Sequence, residues 1–530
     1  MIAGKLAARD VFLLGIVLAA ALIVNPLREL LTWDDGWAYA RSVENLLTTG
    51  RYQLDQWSAA NMPVQIGVAA GLAKVFGYSL TLLRLTTLIF LIVLLLSFRR
   101  LAEACGCRPA DAMVLALALF ASPVAAILSF TFMSDIQFLA WLTLSLALYK
   151  AGLAQRRSLY ILAGSVAAAG SIGTRQFGIA LLAGWVIAVA LSSRTQRPSL
   201  ATFLLATGLP SLLAGWQLWM GAGEPNVTQA YRLAEQHVLL TQPIHALAKE
   251  AIWRSAVWVQ YSALYLLPLM PLVVGAGVFR FQNSSPQVRT RAAFLTILLM
   301  IYAGIGLSLN STLTVRQGIV SGPVWPALGI IWVIPSQPWA SHSLQRLLDL
   351  AGYVAIAPLA FLLFSAQRLL PEHRPDAGTL LIAGTGVTMF GLVFIYVQLN
   401  DTYVVALLPF LLLIVASILR EGPSWKWSAT TIAWSLLLLF GVLGLTRQNF
   451  DAQQRVWDAA DEAVASGIPY DRVAGPKHWA EYHGAFDDWV AAGTPGLRPP
   501  PRILAIGEDP FHDPFYRWLH DRDARNMSGQ

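Results

Sequence analysis

The chain has 530 residues, 56% of them hydrophobic and only 13% charged, with a formal net charge of +7. A soluble domain carries about a quarter charged residues, and a water-facing fold of this length has no room to bury so much apolar surface, so a soluble globular enzyme is excluded. The cations form no continuous stripe. They sit in short clusters at the ends of apolar runs, which argues against a nucleic-acid face and for helices oriented across a bilayer.

Residues 11–26, 80–98, 112–130, 200–220, 292–309 and 428–445 are almost free of charge, and each is close to the ~20 residues that a helix needs to cross ~30 Å of hydrocarbon. Their backbone groups find no partner in lipid unless the run is helical. The first run follows Lys5 and Arg9 and is not followed by a small-residue cleavage site; it is predicted to be a retained first span with a cytoplasmic N-terminus. Residues 28–79 are then exported. Within them, residues 63–77, after Asn61-Met62, are apolar but too short to cross, and are read as a helix lying in the interface. The second span returns to Arg99, Arg100 and Arg108, beside Cys105 and Cys107, a pair that offers too few ligands for a zinc site. The third ends near Phe130, and Asp135 begins the fourth, which finishes at Lys150, Arg156 and Arg157. The fifth and sixth are a close pair with Arg175 at their exported junction.

The seventh span leads to an exported loop, residues 221–254, of which 230–254 has helical spacing and is read as a second interfacial helix. The eighth, 255–279, returns to Arg280, Arg289 and Arg291. Residues 322–335 are apolar but short and carry Pro323, Pro326 and Pro335; read as re-entrant, they leave Arg368, Arg374, Arg420 and Lys426 in the cytoplasm and the C-terminus exported. After residue 445 the hydropathy collapses. Residues 452–465 have helical spacing, and Pro499-Pro500-Pro501 precedes a predicted strand at 502–506. The expected fold is an all-α polytopic membrane protein with about 13 transmembrane helices and interfacial helices in the first exported loop (residues 1–445), plus a small α/β exported C-terminal domain (residues 446–530). No internal repeat or matched pair of broken helices, of the kind many transporters show, is visible.

This topology gathers Asp34, Asp35, Arg41, Glu44, Asp55, Arg84, Asp135, Arg175, Glu235, His237, Arg316 and Asp401 at the exported face. Charges so close to lipid are costly and generally pair or function. Asp34-Asp35, in Trp33-Asp-Asp-Gly-Trp-Ala-Tyr39, are adjacent carboxylates whose repulsion raises one pKa, as suits a general base towards a hydroxyl; the plain alternative is a solvated pair or an N-cap for a helix over 36–47. Asp135, in Phe132-Met-Ser-Asp-Ile-Gln137, is a candidate catalytic acid, and Ser134 or Asp135 equally could cap the fourth span. Arg175, in Gly173-Thr-Arg-Gln-Phe-Gly178, offers a fork for a phosphate oxygen pair or a structural partner for Asp135. His237 and His245 are lone loop histidines and are not assigned to a metal.

The order and spacing of these pieces resemble the C-type (GT-C) glycosyltransferases, especially the branch of bacterial aminoarabinose transferases and protein O-mannosyltransferases. Members begin with one span and then an exported acidic pair of the form Asp-Asp/Glu-x-x-Tyr, which looks like Asp34-Asp35-x-x-x-Tyr39, one residue longer here. A proline-led interfacial helix ending in Phe-Gly, then an arginine, looks like Pro63, Phe76-Gly77 and Arg84; the acid atop the fourth span looks like Asp135; and the basic residue at the next exported junction looks like Thr174-Arg175-Gln176-Phe177-Gly178. Where the family has Arg-Tyr before a Leu-Pro span, this chain has Asp401-Thr402-Tyr403 before Leu408-Pro409. The resemblance covers residues 10–200 well and 390–530 loosely.

What it implies is an inverting glycosyltransferase of the bacterial inner membrane with its active site on the periplasmic side. The donor would be a polyprenyl-phosphate-linked sugar, and the acceptor a hydroxyl of a lipid, polysaccharide or protein. Asp34, with Asp35 second, would be the base, and Asp135 would orient the acceptor or pair with a cation. Arg175, Arg84 and Arg316 would meet the donor phosphate, and Tyr39, Glu235, His237, Asp401 and Tyr403 would lie on the acceptor side. No cofactor, metal or nucleic acid is implied. The competing classes are a transporter or flippase, and a polymerase or ligase, of lipid-linked sugars.

Overall fold

The computed structural model describes residues 8–31, 35–55, 57–58, 60–221, 237, 241–309, 316–317, 338–366, 375–395, 399–419, 425–469, 473, 479 and 482–483. Helices α1 (Ala8–Val24), α2 (Gly36–Thr49), α3 (Pro63–Phe76) and α4 (Leu80–Ala104) come first. They are followed by α5 (Pro109–Ala121), α6 (Pro123–Leu128), α7 (Ser134–Gln155), α8 (Ser158–Thr174), a 3-10 turn at Gln176–Ile179, α9 (Ala180–Leu191) and α10 (Leu200–Gly221). The second half has α11 (Ile244–Tyr265), α12 (Met270–Asn283), α13 (Pro286–Ser308), α14 (Pro338–Phe364), α15 (Ala377–Ile395), α16 (Asp401–Val405), α17 (Leu408–Leu419) and α18 (Trp425–Ala465). Two dipeptides, β1 (Arg316–Gln317) and β2 (Leu399–Asn400), pair in parallel. Six described helices are long and apolar enough to cross a membrane, or seven with α11 and α12 taken as one bent span; α5, α8, α9 and α17 are shorter and apolar. The chain is a multi-pass, all-α membrane protein.

Several boundaries differ from the sequence expectation, each for a local reason. The run at 112–130 is not one rod: Pro123 forces Ser122 into an extended conformation (φ −59°, ψ 126°) and divides α5 from α6. The eighth span begins well before residue 255, at Ile244, and bends by 51° between α11 and α12, where Pro268 and Pro271 remove backbone donors. The bend leaves carbonyls unpaired in an apolar setting. Trp434 Nε1 and Ser435 Oγ of α18 donate to the Leu267 and Pro268 carbonyls at 2.9 and 3.0 Å, so protein side chains meet the need that lipid cannot.

The expected span at 428–445 and helix at 452–465 are one rod, α18, with neither Gly nor Pro between 446 and 465. Its 41 residues make about 62 Å of helix, twice the ~30 Å hydrocarbon thickness, and it runs through the expected domain boundary at 445. The segments at 322–335 and 502–506 lie outside the described residues.

Polar contacts gather in two layers. In one, Arg99 meets Asp10 at 2.6 Å and Glu103 at 2.6 Å, Lys150 meets Asp376 at 2.7 Å, and Arg280 donates to the Ile418 carbonyl at 2.6 Å. In the other lie Arg84, Asp135, Arg175 and the end of α15, where Arg254 donates to the Phe394 carbonyl at 3.0 Å. Arg84 to Arg99 along α4, and Asp135 to Lys150 along α7, are each 15 residues, about 22 Å. That is about three quarters of the ~30 Å hydrocarbon thickness. Between them the helices touch through small residues and short hydroxyl bonds, such as Ser97 Oγ to Thr143 Oγ1 at 2.7 Å and Gly184 seated on Leu381 and Thr385.

Beyond the membrane layer, α18 carries an aromatic contact back to the first inter-helix loop. Trp479, 1% exposed, donates from Nε1 to Asp461 at 2.7 Å. The Tyr482 and Tyr78 hydroxyls meet at 3.2 Å; Tyr482 also donates to Glu44 at 3.3 Å, and Tyr78 to the Ala40 carbonyl at 3.3 Å. Burial pushes both phenols up, so they stay protonated.

The His483 ring lies 4.4 Å from that of Trp479, tilted by 42°. Burial, aided by Arg41, lowers its pKa against the raising influence of Asp461 and Glu44. A histidine whose folded value is depressed binds its proton more readily in the undocked state, so this contact is strongest above the ordinary histidine value, about 6.5, and weakens as pH falls below it. Acidification from pH 7.5 to 5.5 is expected to increase tryptic cleavage around residues 470–490 in the intact protein, and His483→Gln is expected to flatten that dependence. Equal cleavage at both pH values in the wild type would refute it.

Candidate active site

The site grows from the place where α8 ends. Arg175 stands in an extended conformation (φ −148°, ψ 137°) after Thr174, its amide donates to the Ser171 carbonyl at 2.9 Å, and Gly178 donates back to the Arg175 carbonyl at 2.9 Å. This folds the 3-10 turn tightly onto the end of α8. A Cβ on Gly178 would sit 2.6 Å from the Ile172 nitrogen and 2.8 Å from the Ser171 carbon, both backbone atoms that cannot swing aside. The glycine of Thr-Arg-x-x-Gly is therefore needed for close approach, and the approach aims Arg175. Gly178→Ala is expected to cost about 1–3 kcal/mol of stability and to lower activity further than Gly173→Ala or other nearby small substitutions do. A Gly178→Ala protein with native thermal midpoint and turnover would contradict that role.

Arg175 reaches the first turn of α7, 40 residues earlier. Its Nη1 lies 2.8 Å from Asp135 Oδ1, its Nη2 donates to Oδ2 at 3.3 Å, and its Nε donates to Ser134 Oγ at 2.8 Å. Both partners are buried, at 8% and 2% exposure. A two-pronged guanidinium–carboxylate pair is directional as well as charged, and the carboxylate at the start of α7 also faces the positive end of the helix dipole. The cap position of α7 is Met133, and Ser134 and Asp135 are the first two residues of the helix. The pairing of Arg175 with Asp135, one of the two roles the sequence left open for Arg175, is what the geometry contains.

A late part of the chain closes over this pair. The Tyr403 ring lies 5.3 Å from the Arg175 guanidinium carbon, in cation–π range, and Phe177 meets Tyr403 edge-on at 5.7 Å. Tyr403 belongs to the short α16, directly after β2, so the β1–β2 pairing sets Arg316 beside Leu399 and brings its backbone to the same neighbourhood as Asp401. Next to α16 packs α11, where Glu250 accepts from Arg254 at 2.7 Å with both side chains buried.

The other candidates distribute as follows. Asp35 occupies the N-cap position of α2 without a side-chain cap bond, and Tyr39, 2% exposed, donates to its Oδ2 at 3.3 Å. The extra residue relative to the family spacing thus sets the two four apart on one helix face. Arg41 pairs with Asp55 at 3.3 Å. Arg84, 1% exposed, donates to two backbone carbonyls, Phe130 at 2.9 Å and Arg28 at 3.1 Å, with the Phe450 ring 4.9 Å away. His237 is exposed, and its carbonyl accepts from Thr241. Asp34 and Glu235 lie outside the described residues. Among the described residues no group of three or more His, Cys, Asp or Glu side chains is arranged to hold a metal.

Sequence reasoning passed over Phe177 and Ser134 as contacts of the pair, and Gln65, Glu250 and Arg254 altogether. Each is an ordinary residue of an apolar helix or its end, whose relevance comes only from what the fold sets beside it.

No protein-family model matches the chain, and no curated protein matches it by sequence. Among solved structures the chain is similar to ArnT from Cupriavidus metallidurans bound to undecaprenyl phosphate, over 90% of this chain and 85% of that one, with a TM-score of 0.42 at 15% identity. It is similar to the arabinosyltransferase EmbB from Mycobacterium smegmatis over 88% of this chain and 43% of that one (TM-score 0.34, 12% identity), and to the Archaeoglobus fulgidus oligosaccharyltransferase over 93% and 60% (TM-score 0.30, 13% identity).

Proposed function

We propose that the protein is an inverting glycosyltransferase that moves a sugar from a polyprenyl-phosphate carrier to a hydroxyl of a lipid, polysaccharide or protein. The observation that carries this reading is the buried Arg175–Asp135 pair at one end of a lipid-embedded bundle, faced by Tyr403, with the Asp34-Asp35 loop following α1 in the same half of the chain.

In the reaction, a carboxylate of the acidic pair, Asp34 first, takes the proton of the acceptor hydroxyl. The freed oxygen lone pair forms the bond to the anomeric carbon. The carbon–oxygen bond to phosphate breaks from the opposite face, inverting the centre, and its electrons leave on the polyprenyl phosphate. A phosphodiester needs no general acid to depart, but it needs positive charge as it does so; Arg175 supplies that charge, and Asp135 holds the guanidinium in place. Arg316 and Arg84 are the further donor-side cations of this reading, and Tyr39, Glu235, His237, Asp401 and Tyr403 belong to its acceptor side.

The proposal includes about 13 crossings in a bacterial inner membrane, with the Asp135 layer periplasmic, residues 1–445 as the catalytic membrane domain and 446–530 as a small exported domain. The arginine and lysine clusters of the Lys150 layer support that orientation. The bend at α11–α12 favours a transporter at first sight, but its Leu267 and Pro268 carbonyls are met by Trp434 and Ser435 and Leu266–Met270 contains no ionisable residue, unlike the broken helices that hold coupling ions.

The test is mass analysis of envelope lipids and polymers from cells with and without the protein, coupled to assay of the purified protein in liposomes for release of polyprenyl phosphate. A sugar lost from one acceptor, with matching release in vitro, is the expected result. Unchanged envelopes together with sugar crossing the liposome membrane intact would establish the transporter instead.

A further inference from the structure

The Asp135–Arg175 pair hangs on a five-residue connection, 129–133, between α6 and α7. Its amides are satisfied close by: Phe130 donates to the Ile127 carbonyl at 3.0 Å, Thr131 to Leu128 at 3.2 Å, and Met133 to Thr131 Oγ1 at 3.3 Å. Its carbonyls are not. Among the described residues, the Phe130 carbonyl is met by Arg84 Nε at 2.9 Å and the Phe132 carbonyl by Gln65 Nε2 at 3.1 Å, donors from two other helices. Both side chains are buried, at 1% and 0% exposure, and residues 129–133 are buried with them, so loss of either donor leaves a buried carbonyl to be satisfied.

We propose that Arg84 and Gln65 are positioning residues, which hold the α6–α7 connection by its carbonyls and so fix Ser134 and Asp135 against Arg175. Arg84 also ties this connection to the end of α1, through the Arg28 carbonyl at 3.1 Å, and to α18, through the Phe450 ring. Arg28 in turn is ion-paired to Asp451 of α18. The guanidinium is thus the node at which the first loop, the α7 start and the long C-terminal helix meet. Its cationic charge faces carbonyl oxygens, and its effect on a phosphate passes through the placement of Arg175. The structural claim stands without a substrate; its functional consequence rests on the reading of Arg175 as the phosphate cation.

The experiment uses the full chain in lipid nanodiscs with Gln65→Leu, Arg84→Lys and Arg175→Lys, singly and combined. Gln65→Leu keeps the approximate shape and removes the amide, whose Nε2 makes the bond to Phe132, which guards against outright misfolding; Arg84→Lys keeps charge and removes the fork. Amide exchange of peptides covering 128–137 is expected to quicken about tenfold in Gln65→Leu and Arg84→Lys, the worth of one buried hydrogen bond, with peptides around Lys150 and Asp376 unchanged. Binding of undecaprenyl phosphate, the probe, is expected to weaken about tenfold in each and to show little further loss when combined with Arg175→Lys.

Native exchange at 128–137 in Gln65→Leu overturns the proposal. So does weaker binding in Arg84→Lys with native exchange, because that is the signature of direct phosphate contact. If the wild-type protein binds no undecaprenyl phosphate, the functional reading fails, and the exchange measurement still decides the role of the two residues.

Discussion

Asp34→Asn is expected to lower the single-turnover rate of sugar transfer by a factor of about 10²–10⁴, the usual contribution of a positioned general base, with donor binding and thermal midpoint unchanged. The choice of Asp34 over its neighbour follows from what holds Asp35. Asp35 sits at the start of α2 and accepts the buried Tyr39 phenol at 3.3 Å, so one of its carboxylate oxygens is already engaged by the helix that follows. Asp35→Asn keeps an oxygen for Tyr39 and is expected to reduce turnover by about tenfold at most. Release of polyprenyl phosphate from liposomes, timed after mixing with acceptor, measures both. Near-normal turnover by the Asp34→Asn protein would remove the base assignment, and the reverse ranking of the two variants would move it to Asp35.

Breaking the Asp135–Arg175 pair is expected to cost stability as well as activity. Arg175→Ala strands a carboxylate that is 2% exposed, and an uncompensated buried charge of this kind costs about 3–5 kcal/mol. Asp135→Asn leaves the cation beside Ser134 Oγ and the Tyr403 ring, a smaller loss because the ring offers a partial partner. The double variant Asp135→Asn/Arg175→Gln replaces the ion pair by a neutral amide pair and is expected to recover most of the stability. It is not expected to recover binding of undecaprenyl phosphate, which needs the positive charge. Thermal unfolding in detergent and lipid-binding assays on the wild type, Asp135→Asn, Arg175→Gln and the double variant form a cycle that separates the two roles. A double variant that binds the lipid as the wild type does would show that Arg175 is only structural.

The membrane class and helices such as α3, α4, α10 and α13 could be read directly from apolarity, because a helix in lipid satisfies its own backbone and needs no knowledge of its neighbours. Local motifs were legible for the same reason. The Thr174–Gly178 turn and the Asp35–Tyr39 spacing are both contacts within five residues. Contacts at a distance were less legible. The bond of Arg175 to Asp135, 40 residues apart, was one of two open roles for Arg175, whereas nothing local pointed to the bonds of Arg84 to the Phe130 carbonyl, over 46 residues, or of Gln65 to the Phe132 carbonyl, over 67.

By itself, then, the sequence determined that this chain lives in a bilayer and that acid and base side chains cluster at the ends of its helices. The tertiary structure alone decided which of them touch, that α18 continues unbroken past the expected boundary, and that a span bends at Leu266. The physical reason is that lipid tails are as apolar as leucine, so the apolar pattern of a span does not say which neighbour it packs against. That choice is made by close backbone approach and by a few buried polar groups seeking partners, and both exist only once the helices are assembled.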